Sequence, residues 1–330
     1  MVDAKKYALI DLHLHLDGSM SLSCARSLAK KQGIALPDDT ELISRLRVSE
    51  DCRDLNEYLE RFELPLSLLQ TADAISESVE RLCNELSESG LVYAEIRFAP
   101  QLHRQKGLTQ EQVVIAALEG LSRGSLSASL ILCCMRGKDN REENIETVRL
   151  VEKYLGKGVC AVDLAGAEAL FPNENFFDVI EYARSLALPM TLHAGEALGA
   201  DSVSSAIELG ADRIGHGVRS IEDPEVLALL VKKQIALELC PTSNLNTRVF
   251  DSLSEYPIRA FLDAGVMITL NTDNISVSAT SLANEYQKIT DTFSLTEEEL
   301  STIVLNSARA SFLGEKEKSA LVERIKGMVE

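Results

Sequence analysis

The chain has 330 residues, and 45% of them are hydrophobic, which is enough to bury a large core. Its formal net charge of −18 argues against a nucleic-acid phosphate backbone or an anionic membrane surface as a partner. The sequence has no signal-peptide pattern and no apolar run of membrane-spanning length, so we expect a soluble, cytoplasmic protein.

The first predicted strand ends in a histidine-rich motif. An apolar run over residues 8–14 overlaps the stretch Asp-Leu-His-Leu-His-Leu-Asp-Gly at 11–18. Side chains alternate between the faces of a strand, so His13 and His15 share one face and are able to ligate one metal ion. The alternative is a pair of histidines packed at a barrel rim. A metal is favoured because four of the five histidines stand in short motifs at the ends of apolar runs.

The segment after this strand is predicted to be helical. Apolar spacing indicates a helix over 22–33, with Ser19 or Ser21 as N-cap and Gly33 as its stop. A short helix is expected at 41–47, within a polar segment.

A further helix over residues 54–63 carries an apolar stripe. The stripe consists of Leu55, Tyr58, Leu59 and Phe62. It is either ordinary core or a lid over a pocket, and the lid is supported because this segment interrupts the alternation of strands and helices. Apolar residues from Leu66 to Leu86 then predict one long amphipathic helix that ends near Gly90.

From residue 92 onward strands and helices alternate regularly. Predicted strands occupy 92–98, 129–134, 159–164, 190–193, 213–215, 235–239 and 266–270. Predicted helices occupy 109–121, 144–155, 175–187, 200–209, 224–232 and 258–264, and the remainder to residue 330 is helical. Eight strands in this pattern predict an α/β fold, a (β/α)8 TIM barrel with helical insertions after strand 1 and a helical C-terminus. We expect one domain over residues 1–330.

Polar residues collect where the predicted strands end. They are His13, His15 and Asp17 (strand 1), Glu95 and Arg97 (strand 2), Asp163, Gly166 and Glu168 (strand 4), His193 and Glu196 (strand 5), His216 (strand 6), and Asp273 and Asn274 (strand 8). Barrel enzymes place their catalytic groups at these ends. For Asp273 taken alone, a helix N-cap is the favoured interpretation. As a set, three histidines and one aspartate match the ligands of a catalytic zinc with an open position for water.

The cysteines do not suggest a second kind of metal site. Seven are scattered along the chain without a Cys-x-x-Cys pair. They are typical of reduced, mostly buried thiols, so a metal should be held by His and carboxylate.

Five short motifs resemble those of the adenosine deaminase family, within the metal-dependent amidohydrolase superfamily. They are His-Leu-His-Leu-Asp-Gly at 13–18, Asp-Leu-Ala-Gly-Ala-Glu at 163–168, His-Ala-Gly-Glu at 193–196, His-Gly at 216–217 and Asn-Thr-Asp at 271–273. Their order and spacing match the family, and the resemblance runs from strand 1 to strand 8.

The resemblance implies one Zn²⁺ per chain and a set of reaction roles. The implied metal ligands are His13, His15, His193 and Asp273. Zinc-bound hydroxide would attack C6 of adenosine or 2′-deoxyadenosine, giving inosine or 2′-deoxyinosine and ammonia. Glu196 would protonate ring N1, His216 would orient the attacking water, and Asp273 would take the water proton.

The same resemblance implies the contacts with a purine nucleoside. The implied substrate-binding residues are His15, Asp17, Gly166 and Asn274, together with Leu55, Tyr58, Leu59 and Phe62 of the lid. Asp17 would bind a ribose hydroxyl, and the N–H of Gly166 would donate to ring N3. The family often has Asp-Asp where this chain has Asp273-Asn274. An Asn amide is a permanent donor to the ring N7 acceptor, so we expect a variation rather than a loss of function.

Two alternatives remain open at this point. One is a related deaminase of adenine, of a modified adenine nucleoside or of AMP. AMP requires a cationic phosphate clamp, for which the candidates are Arg45, Arg47, Arg53 and Arg97. The other is a catalytically silent barrel that acts as a binding protein. The oligomeric state is open as well.

Overall fold

The computed structural model describes residues 7–329, and its central feature is a set of eight parallel strands. The strands are β1 (Ile10–His15), β2 (Tyr93–Phe98), β3 (Ala128–Met135), β4 (Val159–Ala165), β5 (Thr191–Ala194), β6 (Arg213–His216), β7 (Ala236–Leu239) and β8 (Ile268–Leu270). They pair in the orders β1-β2-β3-β4 and β5-β6-β7-β8. Each strand lies beside its neighbour in the sequence, as right-handed βαβ connections produce.

Backbone bonds between these two groups of strands close the barrel. Val162 N–H donates to Pro189 O (3.0 Å), which joins β4 to β5. On the other side His15 N–H donates to Asp273 O and Asp273 N–H donates to His13 O, each at 2.8 Å. The predicted (β/α)8 barrel is confirmed. Its β1–β8 seam runs through three of the predicted metal ligands.

Helices surround the barrel and extend it at two places. After β1 come α1 (Leu22–Gln32), α2 (Asp39–Leu46), α3 (Leu55–Leu59), α4 (Glu63–Leu68) and α5 (Ala72–Glu88). Between later strands lie α6 (Gln110–Arg123), α7 (Arg141–Tyr154), α8 (Phe177–Ser185), α9 (Ala200–Glu208), α10 (Pro224–Lys233), α11 (Pro241–Asn246) and α12 (Ile258–Ala264). The C-terminal helices are α13 (Leu282–Phe293), α14 (Glu297–Ala310) and α15 (Glu315–Val329).

Side-chain caps explain where several of these helices begin. Ser21 accepts from Cys24 N–H at the start of α1, and Thr109 forms a capping box with Gln112 at α6. Asp223 caps α10, whose first residue is a proline. These three helix starts agree with the sequence prediction.

Three segments differ from the prediction. The long helix expected over 66–86 is broken, because Thr71 caps α5 by accepting from Ala74 N–H and leaves Leu66 on the separate helix α4. A short helix, α11, follows β7 where none was expected. Residues 271–281 form a loop rather than the start of a C-terminal helix. Glu330 lies outside the described residues.

The core is one large hydrophobic cluster that extends from β1 to α15. It contains mainly Leu, Ile, Val and Ala from both the strands and the surrounding helices. All seven cysteines are buried, and none of them is disulfide-bonded. Over residues 7–329, no helix combines the length and apolar character needed to cross a membrane.

Candidate active site

Four side chains meet at the carboxyl end of the barrel with their ligand atoms close together. They are His13, His15, His193 and Asp273. His15 Nε2 lies 3.3 Å from His193 Nε2, and Asp273 Oδ1 lies 3.4 Å from Nε2 of both His13 and His15. The four ligand atoms all lie within 4.8 Å of one another. The structure therefore brings together every residue that the sequence predicts as a metal ligand.

This donor set fits a divalent metal. His13 Nε2 is buried and has no hydrogen-bond partner, although it lies among the other three donor atoms. The opposite nitrogens are occupied, because His13 Nδ1–H donates to Glu238 Oε2 (2.8 Å) and His193 Nδ1 contacts Asp163 Oδ1 (3.0 Å). Each Nε2 is thus left for a metal, in the carboxylate–histidine pattern common around bound metals. Three nitrogens and one carboxylate oxygen suit a catalytic zinc.

A buried charge network supports the metal site from below. Arg97 donates to Asp163 Oδ2 (2.9 Å) and to Glu238 Oε2 (2.8 Å), and Arg213 donates to Glu238 Oε1 (2.6 Å) and to Glu95 Oε2 (2.6 Å). All five side chains are buried. Glu238 occupies the centre, between both guanidinium groups and the ring of His13. The predicted strand-end residues Glu95 and Arg97 therefore lie inside the barrel, not at its mouth.

Glu196 lies on a turn that Glu168 holds in place. The Glu168 carboxylate accepts from four consecutive backbone N–H groups, at residues 195–198, over 2.7–3.1 Å. It also accepts from Ser202 Oγ at 2.6 Å. A carboxylate that accepts several backbone N–H bonds fixes the turn that supplies them. Glu168, at the end of β4, thus positions Glu196 without contacting the cavity.

The environment of Glu196 favours its protonated form. Burial raises the pKa of this carboxyl well above its usual value, and the nearby Asp273 and Glu168 carboxylates raise it further. Thr247 Oγ1–H donates to its Oε1 at 3.4 Å, and His216 Nε2 lies 3.6 Å from its Oε2. Both effects favour the protonated carboxyl, the form that has a proton to donate.

His216 is held as a neutral imidazole. Burial lowers its pKa well below the usual value, and His13 lowers it further. Asn244 Nδ2–H donates to His216 Nδ1 (3.1 Å), and the amide is oriented because Tyr256 O–H donates to Asn244 Oδ1 (3.0 Å). With Nδ1 accepting, the proton of the neutral ring resides on Nε2. His216 therefore presents an N–H donor to the site.

One cavity of about 210 Å³ joins these groups to the predicted substrate-binding residues. Its lining includes His15, His193, Glu196, His216 and Asp273, the sugar and base candidates Asp17, Gly166 and Asn274, and the stripe Leu55, Tyr58, Leu59 and Phe62. The stripe lies over the cavity, as expected of a lid, and we call residues 48–62 the lid segment. Tyr58 and Ser278 hydroxyls bond at 2.7 Å, which fastens this segment to the loop after β8.

Two glycines shape the cavity wall. A Cβ on Gly18 would lie 1.7 Å from Asn274 Oδ1, so only glycine leaves room for that amide. Gly166 has φ of 111°, a backbone conformation that side chains disfavour.

Asp17 is buried with one carboxylate oxygen lacking a hydrogen-bond partner, and burial raises its pKa to about 6. At neutral pH Asp17 is thus mainly ionised and able to accept a hydrogen bond.

Several residues of this site were not found from the sequence, and most belong to β7, to helix α11 and to the turn that ends this helix. Ser243 O–H donates to Asp273 Oδ2 (2.6 Å), Asn244 contacts His216, and Thr247 contacts Glu196. Glu238 could have been noticed from the sequence, because it is a charged residue within a short apolar strand. Such a strand is buried, and a buried carboxylate needs partners. The residues after β7 include no histidine or carboxylate that would mark them before residue 251.

A closed (β/α)8 barrel with a His₃Asp cluster and a buried acid at one mouth defines a metal-dependent hydrolase. The sequence profile of the adenosine deaminase family matches residues 8–328. The chain belongs to the adenosine deaminase family. Adenosine deaminase of Haemophilus ducreyi is 49% identical, over 97% of this chain and 96% of that protein.

Solved structures of related deaminases share the fold. The adenine deaminase of Arthrobacter aurescens superimposes with a TM-score of 0.86 at 26% identity, over 98% of this chain and 99% of that one. The N6-mAMP deaminase of Arabidopsis gives 0.87 at 25% identity, over 99% and 100%. The family and the barrel predicted from the sequence are both confirmed.

Proposed function

We propose that this chain catalyses the hydrolytic deamination of adenosine and 2′-deoxyadenosine, giving inosine or 2′-deoxyinosine and ammonia. The observation that carries the proposal is Glu196, a buried carboxylic acid in the same cavity as a four-ligand metal site. Family membership over nearly the whole chain supports a hydrolase that acts on a C–N bond.

We propose that the resident metal is one Zn²⁺ per chain. His13, His15, His193 and Asp273 would hold it, and the orphaned Nε2 of His13 supports this assignment. When bound, zinc supplies Lewis-acid activation of a water at neutral pH.

Proton transfer is assigned to the carboxyl groups around the cavity. Glu196 donates its proton to ring N1, which weakens the C6–N1 double bond and makes C6 electrophilic. His216 uses its Nε2–H to orient the attacking water and to stabilise the charge that develops on the oxygen. Asp273 accepts a proton from this water and passes it to the departing amino group, so that the C6–N bond breaks and ammonia leaves, while the remaining hydroxyl proton restores Glu196 as the acid. Ser243 stabilises the Asp273 carboxylate by donating to its other oxygen.

Substrate binding is assigned to the remaining lining residues. Asp17 accepts from a ribose hydroxyl with its unpartnered oxygen, which ties sugar recognition to the strand that carries His13 and His15. The Gly166 N–H donates to ring N3, and the Asn274 amide donates to N7. The lid residues named above cover the base and exclude water.

Charge distribution favours a nucleoside over a nucleotide. Among the described residues, the cavity lining includes no Lys or Arg. Of the candidate clamp residues, Arg97 is buried within the charge network, while Arg45 and Arg53 pair with Glu41 and Glu57 in their own segments. A phosphate dianion in this cavity would lack a partner, which is costly.

A substrate panel tests the proposal. Purified protein with assayed metal content is mixed with adenosine, 2′-deoxyadenosine, adenine and AMP, and the change in purine absorbance is followed. We expect turnover of both nucleosides and a kcat/KM for AMP lower by roughly a hundredfold or more. Failure to turn over any of the four would favour a catalytically silent barrel, and preference for AMP would contradict the assignment of the sugar site.

We further propose a single domain over residues 1–330 and a cytoplasmic location. The continuous core from β1 to α15 supports the first point. Seven free, buried cysteines support a reducing compartment.

A further inference from the structure

Arg248 joins the loop after β7 to the lid segment. Its Nε–H donates to Cys52 O (2.8 Å) and its Nη2–H donates to Glu50 O (2.5 Å). Residues 50–52 lie just before α3, the helix that carries three of the four residues of the lid stripe. One guanidinium group thus fixes the backbone on which the lid begins.

The residue before it contacts the proton donor. Thr247 Oγ1–H donates to Glu196 Oε1, so the dipeptide 247–248 lies between the catalytic acid and the lid. A second cavity, of about 550 Å³, is lined by Glu196 itself together with Leu55, Thr247 and Arg248. Release of the lid segment from Arg248 would widen this cavity and admit more water beside Glu196.

The backbone of Arg248 adopts a conformation in which glycine is more usual. Arg248 has φ of 61° and occupies the position after the C-cap of α11. Arg248 N–H donates to Leu245 O and Val249 N–H donates to Asn244 O, the two bonds of a Schellman motif. Glycine is usual at this position because side chains disfavour it. Here the position holds an arginine, and two backbone carbonyl groups accept from its guanidinium.

The lid segment has other attachments, which lie on the opposite side. Val48 N–H donates to Val277 O (3.0 Å), and Tyr58 bonds to Ser278. These contacts fasten the lid to the loop that carries Asn274. Arg248 also fastens the lid segment to the turn that carries Thr247. The closed lid is therefore attached to both walls of the cavity.

We propose that Arg248 is a positioning residue that couples closure of the lid to the placement of Glu196. With its guanidinium on the carbonyls of residues 50 and 52, the lid is closed and Thr247 is held against the acid. Without it, the lid opens more often and Glu196 loses its dry, oriented setting. This inference rests on the proposed role of Glu196 as proton donor.

The test uses R248M, R248K and R53M in the metal-loaded protein. Methionine removes the donors and keeps much of the apolar length, while lysine restores one cationic donor. Arg53 is the matched control because it lines the same outer cavity, is mostly exposed and pairs only with Glu57, within the lid segment. Thermal midpoints and metal content identify any variant that fails to fold.

Lid opening is measured by alkylation of Cys52, followed by peptide mapping. Cys52 belongs to the lid segment and is buried when the lid is closed, at 1% exposure, where it packs with Tyr58 and Val277. We expect alkylation roughly tenfold faster in R248M, because two charge-assisted hydrogen bonds are lost. R53M should stay within about twofold of the parent, and R248K should recover part of the protection.

Steady-state kinetics complete the test. We expect R248M to lower kcat roughly tenfold and to raise KM, with metal content unchanged. Equal alkylation rates in R248M and parent would overturn the proposal. So would faster alkylation with unchanged kcat and KM, because lid and acid would then be uncoupled. If the parent itself deaminates no purine, the proposed function fails, whereas the alkylation rates still report whether Arg248 holds the lid.

Discussion

The substitution Glu238→Gln probes the centre of the buried charge network. The carboxylate accepts four hydrogen bonds, from His13 and Arg97 on Oε2 and from Thr191 and Arg213 on Oε1. An amide keeps an acceptor at only one of these two positions. Its NH₂ group must face one of two pairs of donors, either His13 and Arg97 or Thr191 and Arg213. Two hydrogen bonds to residue 238 are therefore lost in either orientation.

The cost follows from the bonds that the amide cannot make. Hydrogen bonds to charged groups contribute about 1.5–3 kcal/mol each, and breaking one partner from a buried ion pair costs about 3–5 kcal/mol. We therefore expect the free energy of unfolding of the metal-free Glu238→Gln protein to fall by about 3–5 kcal/mol. Because His13 loses its orienting carboxylate, metal affinity should weaken roughly 10- to 100-fold.

Two measurements check this expectation. Urea unfolding of the metal-free proteins gives the stability difference, and competition with a chromophoric chelator gives the metal affinity. Thr191→Val is the control, since it removes one neutral donor to Glu238 and should cost about 1 kcal/mol with no change in metal affinity. A Glu238→Gln protein with unchanged stability and unchanged metal affinity would refute the role given to this carboxylate.

Three further predictions address the acid, the base contact and a histidine outside the site. Glu196→Gln should retain zinc, by metal analysis, but lose roughly a thousandfold in kcat, and near-normal turnover would exclude it as proton donor. Asn274→Asp should keep deaminase activity in the same absorbance assay, since a protonated carboxyl is also able to donate to N7, and an inactive variant would contradict that contact. Burial lowers the pKa of His103 from about 6.5 to about 4, so between these values the unfolded chain binds a proton that the folded chain excludes, and stability falls as pH falls. The His103 pKa shift should lower the free energy of unfolding by about 3 kcal/mol between pH 6.5 and pH 4, as measured by urea unfolding. His103→Gln should remove this loss. An unaltered pH dependence in that variant would contradict the assignment to His103.

The clustering of His13, His15, His193 and Asp273 was predictable because each stands in a short motif at the end of a strand. His13 and His15 share a face by simple alternation, and the barrel brings His193 and Asp273 to the same rim. The helix starts capped by Ser21, Thr109 and Asp223 also depend only on residues close by in the sequence. Such features depend on neighbours within a few residues, which a sequence displays directly.

The supporting contacts were not predictable for the opposite reason. Glu238 meets His13 across 225 positions of the chain, and Arg248 meets Cys52 across 196. Neither pair has a local pattern, because the contact exists only after the barrel has closed. The break before α5 was missed because Leu66 and Leu69 continue the apolar spacing, while the capping bond of Thr71 ends it.

The β1–β8 seam joins the first and the last strand of the barrel, so it forms only after the eighth strand has been synthesised. The backbone of Asp273 bonds to His13 and His15, and Leu12 bonds to the side chain of Asn271 across 259 positions. Ribosomes release the N-terminal strand first, so a partly made chain exposes two or three histidines without the carboxylate that completes their set. Pairing of β8 with β1 closes the barrel, and the same step brings Asp273 next to the histidines. A growing chain therefore lacks the complete set of four donor residues for a divalent metal until its eighth strand has emerged.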